Sequence, residues 1–158
     1  MNCPMSVLGR HRITIGTCNM LGILHNMGFP RGHFSHILVD EAGQATEPEI
    51  MIPLNFIHSD YGQVILAGDP MQLGPIVQSQ LGSFFGLSVS FLSRLLQQFP
   101  YQRDPDGFET CYDPRLVTKL VMNYRSLPKI LHLPNMLFYE SELQPQVCIS
   151  NYCYYVKF

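Results

Sequence analysis

The nine residues HILVDEAGQ, positions 36–44, decide how the chain is read. A run without polar alternation, His36–Val39, passes straight into two adjacent carboxylates, Asp40 and Glu41, and then into small residues ending at Gln44. Continuous apolar runs of this length fit a strand covered on both faces, as in a parallel sheet. An Asp at the end of such a strand can hold Mg²⁺ through its carboxylate or a bound water, and a neighbouring Glu can orient or deprotonate an attacking water. Two acids closing a turn would give the same string, so its surroundings have to decide.

Three further runs have the same character: Arg12–Gly16, Gln63–Ala67 and Val117–Met122. Ser90–Phe99 carries apolar residues at helical spacing with Ser88 or Ser90 available as a cap. Ser126 can cap a helix beginning Leu127-Pro128-Lys129, with Pro134 expected to end it and start a second short helix through Tyr139. Strands alternating with helices predict a parallel α/β sheet. The four runs are followed by Thr17, by Asp40-Glu41, by Gly68-Asp69 and by Asn123-Tyr124-Arg125. Ligands of open α/β sheets bind beyond the carboxyl ends of the strands, so these groups are expected to converge on one edge. Tyr101–Pro114 reads as a long surface loop, and the expected division is 1–116, 117–147 and an atypical, tyrosine-rich tail at 148–158. Pro48, Pro70 and Pro75 read as loop-shaping residues, and Met20, Met27, Met51 and Met71 as packing.

Composition narrows the class. The 158 residues are 46% hydrophobic but only 14% charged, which argues against disorder. With a net charge of −2 and no basic run, any nucleic acid is held by a few placed groups. Five scattered cysteines without a CxxC pair imply neither a disulfide framework nor a zinc site. The opening MNCPMSVLGRHR lacks the apolar core of a signal peptide, and no stretch approaches a membrane span. A soluble intracellular setting, no membrane partner and no oligomer are expected.

Downstream of VDEAGQATEPE come LAGDPMQLGP and then NYRS. Over about residues 11–146, the chain resembles the superfamily 1 RNA helicases of the Upf-like branch, specifically their Armitage-type, Moloney-leukaemia-virus-ten-like members. The first string resembles helicase motif II in its DEAxQ form, residues 68–75 resemble motif III, and Asn123–Ser126 resemble motif IV. The resemblance implies a RecA-like P-loop NTPase fold that couples ATP hydrolysis to movement on single-stranded RNA, with ATP and Mg²⁺ as cofactors. It implies that Asp40 holds Mg²⁺, directly or through water, that Glu41 activates the water, and that Gln44, Gly68 and Asp69 lie at the nucleotide. Gln72 would sense the γ-phosphate, and Arg125 would reach it as an arginine finger in cis, worth about 10³–10⁵ in rate in related NTPases. Tyr124 would stack on adenine or pack in the core; Thr17 would touch the RNA backbone or satisfy a turn. Small-RNA pathway proteins are implied as partners, and the cytoplasm, including ribonucleoprotein granules, as location.

One expected part is missing. No GxxxxGK[ST] string occurs in this chain, and in the family that loop lies upstream of position 1. The fold is therefore expected to lack the phosphate-loop strand and to expose a sheet edge prone to aggregation. A catalytically inactive form that binds RNA or protein is the alternative to a motor segment, and a DNA motor is a third reading.

Overall fold

A computed structural model describes residues 9–147. The tail expected at 148–158 lies outside them. The chain divides into two compact units, one ending at Gln102 and the other beginning at Arg103.

In the first unit the helices are α1 (Cys18–Asn26), α2 (Glu47–Leu54), α3 (Gln80–Phe84) and α4 (Phe91–Leu95). Its strands are β1 (His36–Val39) and β2 (Gln63–Leu66), paired in parallel with Ile37 opposite Val64 and Val39 opposite Leu66. Both were legible as apolar runs, and their parallel pairing around α2 is the expected α/β connection. Ile37 and Val39 point to the covered face, where they meet Ala42 and Ile50 with Leu54, Phe91 and Leu92 around them. A second cluster of Leu24, Phe29 and Phe56 joins the first through Phe34. The opposite sheet face is open: Leu38 is 71% exposed and its cross-strand neighbour Ile65 is 48% exposed.

Helix α2 starts where Glu49 reaches back to Thr46, its Oε2 accepting from the Thr46 backbone N–H and hydroxyl, both at 2.8 Å. That pairing is the Thr-x-x-Glu start signal, and Pro48 stands in the first turn, where no N–H is needed. Pro48 is thus a helix residue rather than the loop residue expected. Arg94 ties α4 to α2 through two bonds to the Glu47 carboxylate, at 2.7 and 2.8 Å. Ser90, buried, caps α4 by accepting from the Ser93 N–H.

Other expectations need correction. Arg12–Gly16 is not a strand: it is irregular, Ile15 is 92% exposed, and no described strand lies beside it to supply ladder bonds. Apolar β-branched residues make a strand only when a neighbour completes the hydrogen bonds. The helix expected over Ser90–Phe99 stops at Leu95, because Gln97 and Gln98 bond three residues back and tighten into turns. Among the methionines expected to pack, Met27 does so, whereas Met20, Met51 and Met71 are exposed.

The second unit holds β3 (Met122–Asn123), α5 (Pro128–Phe138) and β4 (Gln144–Pro145), with β3 and β4 parallel. The strand expected over Val117–Met122 shrinks to β3 because its partner spans only two residues; the ladder runs from the Gln144 N–H to the Val121 carbonyl and from the Gln146 N–H to the Asn123 carbonyl. Leu127, not Ser126, occupies the N-cap position of α5 and makes no side-chain cap bond, while the Ser126 N–H is held by the Asn123 side chain. Pro134 does not break α5. The one bond it forfeits is offset by burial of Leu131 and by Asn135, whose carboxamide donates to the Leu143 carbonyl and accepts from its N–H, both at 2.9 Å. Tyr101–Pro114 carries no helix or strand, and no helix among the described residues is long and apolar enough to cross a membrane.

Ile50 is fully buried at the centre of the first cluster, so Ile50→Ala is expected to destabilise the chain by about 2–5 kcal/mol in denaturant unfolding. The Thr46 N–H and hydroxyl hold the Glu49 carboxyl below the usual glutamate range. The folded state therefore favours the ionised form, and the stability this adds is lost as pH falls through the depressed value. Glu49→Gln should lose stability at neutral pH and flatten the acid side of the stability profile, below the ordinary value of ~4.3; parallel acid limbs in the two proteins would contradict it.

Candidate functional site

The end of β1 turns sharply at the two carboxylates. Asp40 accepts the Glu41 N–H on Oδ1 at 3.0 Å. Glu41 itself lies in the left-handed region, at φ 53°, a conformation that costs a residue with a side chain on the order of 1–3 kcal/mol. Three bonds hold it there. The Ala42 N–H donates to the Ala67 carbonyl at 2.8 Å, and the Gln44 N–H to the Glu41 carbonyl at 2.9 Å. The Gln44 side chain closes the turn, Nε2 donating to Glu41 Oε2 at 3.1 Å. Ala42 and Gly43 are buried beneath, while Asp40, Glu41 and Gln44 face solvent.

The loop after β2 sits directly against this turn. A methyl group on Gly43 would stand 2.8 Å from the Asp69 carbonyl oxygen, and one on Gly68 would meet the backbone nitrogens of Gly43 and Ala42 at 2.8 and 2.9 Å. Only glycine permits so close an approach of two backbones. Asp69 then organises its own loop: Oδ1 accepts the Met71 N–H and Oδ2 accepts Gln72 Nε2, both at 2.9 Å. Gln44, Met71, Gln72 and Leu73 line one open depression of about 380 Å³. Asp40, Glu41, Gln44, Gly68, Asp69 and Gln72 are therefore brought together, as expected for the ends of two adjacent parallel strands.

Tyr124 and Arg125 belong to the second unit. The Asn123 side chain shapes their turn, Oδ1 accepting from the Arg125 N–H at 3.1 Å and the Ser126 N–H at 2.8 Å. Tyr124 is 74% exposed, so its ring is not the core residue that the packing alternative required. Thr17 follows no strand; it caps α1, Oγ1 accepting from the Met20 N–H at 3.3 Å. The turn-satisfying alternative for Thr17 is thus realised.

Sequence reading missed Gly43 as a contact residue, Asn123 as the organiser of its turn, and the strained backbone of Glu41. The glycines just past β1 and β2 and the Asn two residues before Arg125 were the available signals. Among the described residues no three or more His, Cys, Asp or Glu gather into a metal cluster. The exposed Asp40 carboxylate still suits Mg²⁺, a hard cation that takes one or two protein carboxylates and completes its shell with water and phosphate oxygens.

A family model described as "AAA domain" matches residues 3–80. The probable RNA helicase armi of Drosophila melanogaster is 48% identical over 147 residues, covering 92% of this chain and 12% of the relative. The human RNA helicase Mov10l1 is 53% identical over 137 residues, 85% of this chain and 11% of the relative. The putative helicase mov-10-B.1 of Danio rerio is 47% identical over 148 residues, 90% of this chain and 14% of the relative. The chain thus spans roughly an eighth of the length of the curated relatives it matches. Matches that cover so much of this chain take in both turns at the strand ends and the Asn123 turn, and the chain belongs to the Armitage/MOV10-like helicase family.

Proposed function

We propose that this chain is part of the ATP-driven core of an RNA helicase, a RecA-like motor that hydrolyses ATP to move along single-stranded RNA. The observation that carries the reading is the backbone-to-backbone seating of the carboxylate turn at Asp40-Glu41 against the loop bearing Gln72. It places the amides of Gln44 and Gln72 at one depression, with the Glu41 carboxylate bonded to Gln44, on rigid strand ends, as coupled hydrolysis and sensing need.

In this reading Glu41 is the general base. Its Oε2 is held by Gln44, which leaves Oε1 to orient the attacking water and take its proton. Gln44 and Gln72, whose amides can both donate and accept, meet the phosphate oxygens, with Gln72 sensing the γ-phosphate. Gly68 and Asp69 form the floor of the nucleotide site by fixing that loop. Asp40 would hold Mg²⁺, directly or through water, and the ion would neutralise charge on the phosphates. Arg125 is the cation that meets the γ-phosphate, Tyr124 offers an exposed ring for adenine, and Thr17 retains its hydroxyl proton for an RNA phosphate. No phosphate-cradling GxxxxGK[ST] loop is present in these residues, so that task falls to residues outside this sequence. The names armi and Mov10l1 favour a role in small-RNA silencing with the proteins of that pathway; the location proposed with that role is the cytoplasm and its ribonucleoprotein granules.

The test is RNA-stimulated Mg·ATP hydrolysis by the longest gene product that contains these residues. Glu41→Gln should lower kcat by about 10²–10⁴-fold while ATP still binds; a normal rate would remove Glu41 from the chemistry. A second reading is a short product of about this length that binds RNA or protein without ATP. That product should show salt-sensitive RNA binding indifferent to nucleotide, and ATP-dependent RNA release would argue against it.

A further inference from the structure

Two glutamines line the depression, and each is tied to a carboxylate three residues before it. Gln44 Nε2 donates to Glu41 Oε2, and Gln72 Nε2 donates to Asp69 Oδ2. An ionised carboxylate only accepts, so in each pair the amide must turn its NH₂ inward. The groups left for a ligand are therefore defined: the carbonyl oxygen and one N–H of each amide. Without the anchor an exposed glutamine would sample both amide orientations and many rotamers.

The two anchors differ. Glu41 is itself a reacting group in the reading above, so its bond to Gln44 serves both residues. Asp69 is half-buried and makes a second bond, from the Met71 N–H at 2.9 Å, so one carboxylate sets both the loop backbone and the Gln72 side chain. The Asp69 carbonyl, meanwhile, packs where a side chain on Gly43 would stand. The orientation of Gln72 is thereby referred to the same turn that carries Glu41.

We propose that Asp69 is a positioning residue for Gln72. It presents the amide so that one carbonyl oxygen accepts from the attacking water and one N–H donates to a phosphate oxygen, while Asp69 itself touches neither. This rests on the reading of Gln72 as the γ-phosphate sensor.

The test is a double-mutant cycle in the longest gene product that contains these residues, with kcat and KM for ATP measured at saturating RNA. Asp69→Ala should lower kcat on the order of 10²-fold, the cost of a misplaced group, with KM for ATP unchanged. Asp69→Asn should recover little of that rate, because its single carbonyl oxygen can take the place of only one of the two accepting oxygens, and its NH₂ then faces the other donor, Met71 N–H or Gln72 Nε2. Adding Asp69→Ala to Gln72→Ala should change nothing further. Asp69→Glu, which keeps the charge but displaces it by a methylene, carries the same cycle should the alanine variant fail to fold. Effects that multiply in the double variant, or a loss confined to KM, overturn the positioning role while leaving Gln72 as sensor. A normal kcat for Gln72→Ala overturns the sensor reading itself, and this inference with it.

Discussion

The close seating of two backbones, at Gly43 and Gly68, is the constraint on which the rest of the site depends. Neither position tolerates a side chain without displacing main-chain atoms. The contact is reinforced by two ladder bonds beyond the strands proper, from Ala67 N–H to the Val39 carbonyl and from Ala42 N–H to the Ala67 carbonyl. Carboxylate turn and sensor loop are therefore parts of one hydrogen-bonded continuation of the sheet. Loops fixed in this way carry reacting groups with the precision of strands.

Strain at Glu41 belongs to the same arrangement. A left-handed glutamate persists only where its surroundings over-determine it, and three bonds do so here. The result is a carboxylate pair that leaves the strand end at an angle a relaxed chain would not choose. The support beneath is ordinary core packing: Ile37, Val39, Ala42 and Ile50 hold β1 on α2, and the Thr46–Glu49 cap fixes where α2 begins. Chemistry at the surface thus depends on a small apolar cluster one layer below.

The uncovered sheet face makes a separate point. Strands whose sequence is apolar on both faces are suited to burial on both, yet β1 is buried on one and β2 has no buried residue, only Leu66 packing against the core. The same apolar continuity made both strands legible from sequence. It misled at Arg12–Gly16, where β-branched residues were present but no described strand lay beside them, and at Val117–Met122, where the neighbouring strand is only two residues long.

The sequence by itself determined the two parallel strands, the polar residues at their ends, the helical stretch after Pro128 and the family. Each of these is written in short contiguous patterns: an apolar run with the polar residues at its end, or a motif and its spacing. Tertiary structure alone decided the left-handed turn at Glu41, the glycine-on-glycine approach, the anchoring of each glutamine by its own carboxylate, the exposure of Tyr124 and the survival of α5 through Pro134. The physical reason is common to all five. Each depends on which groups the folded chain brings within a few ångströms, and a local pattern carries no record of that distance.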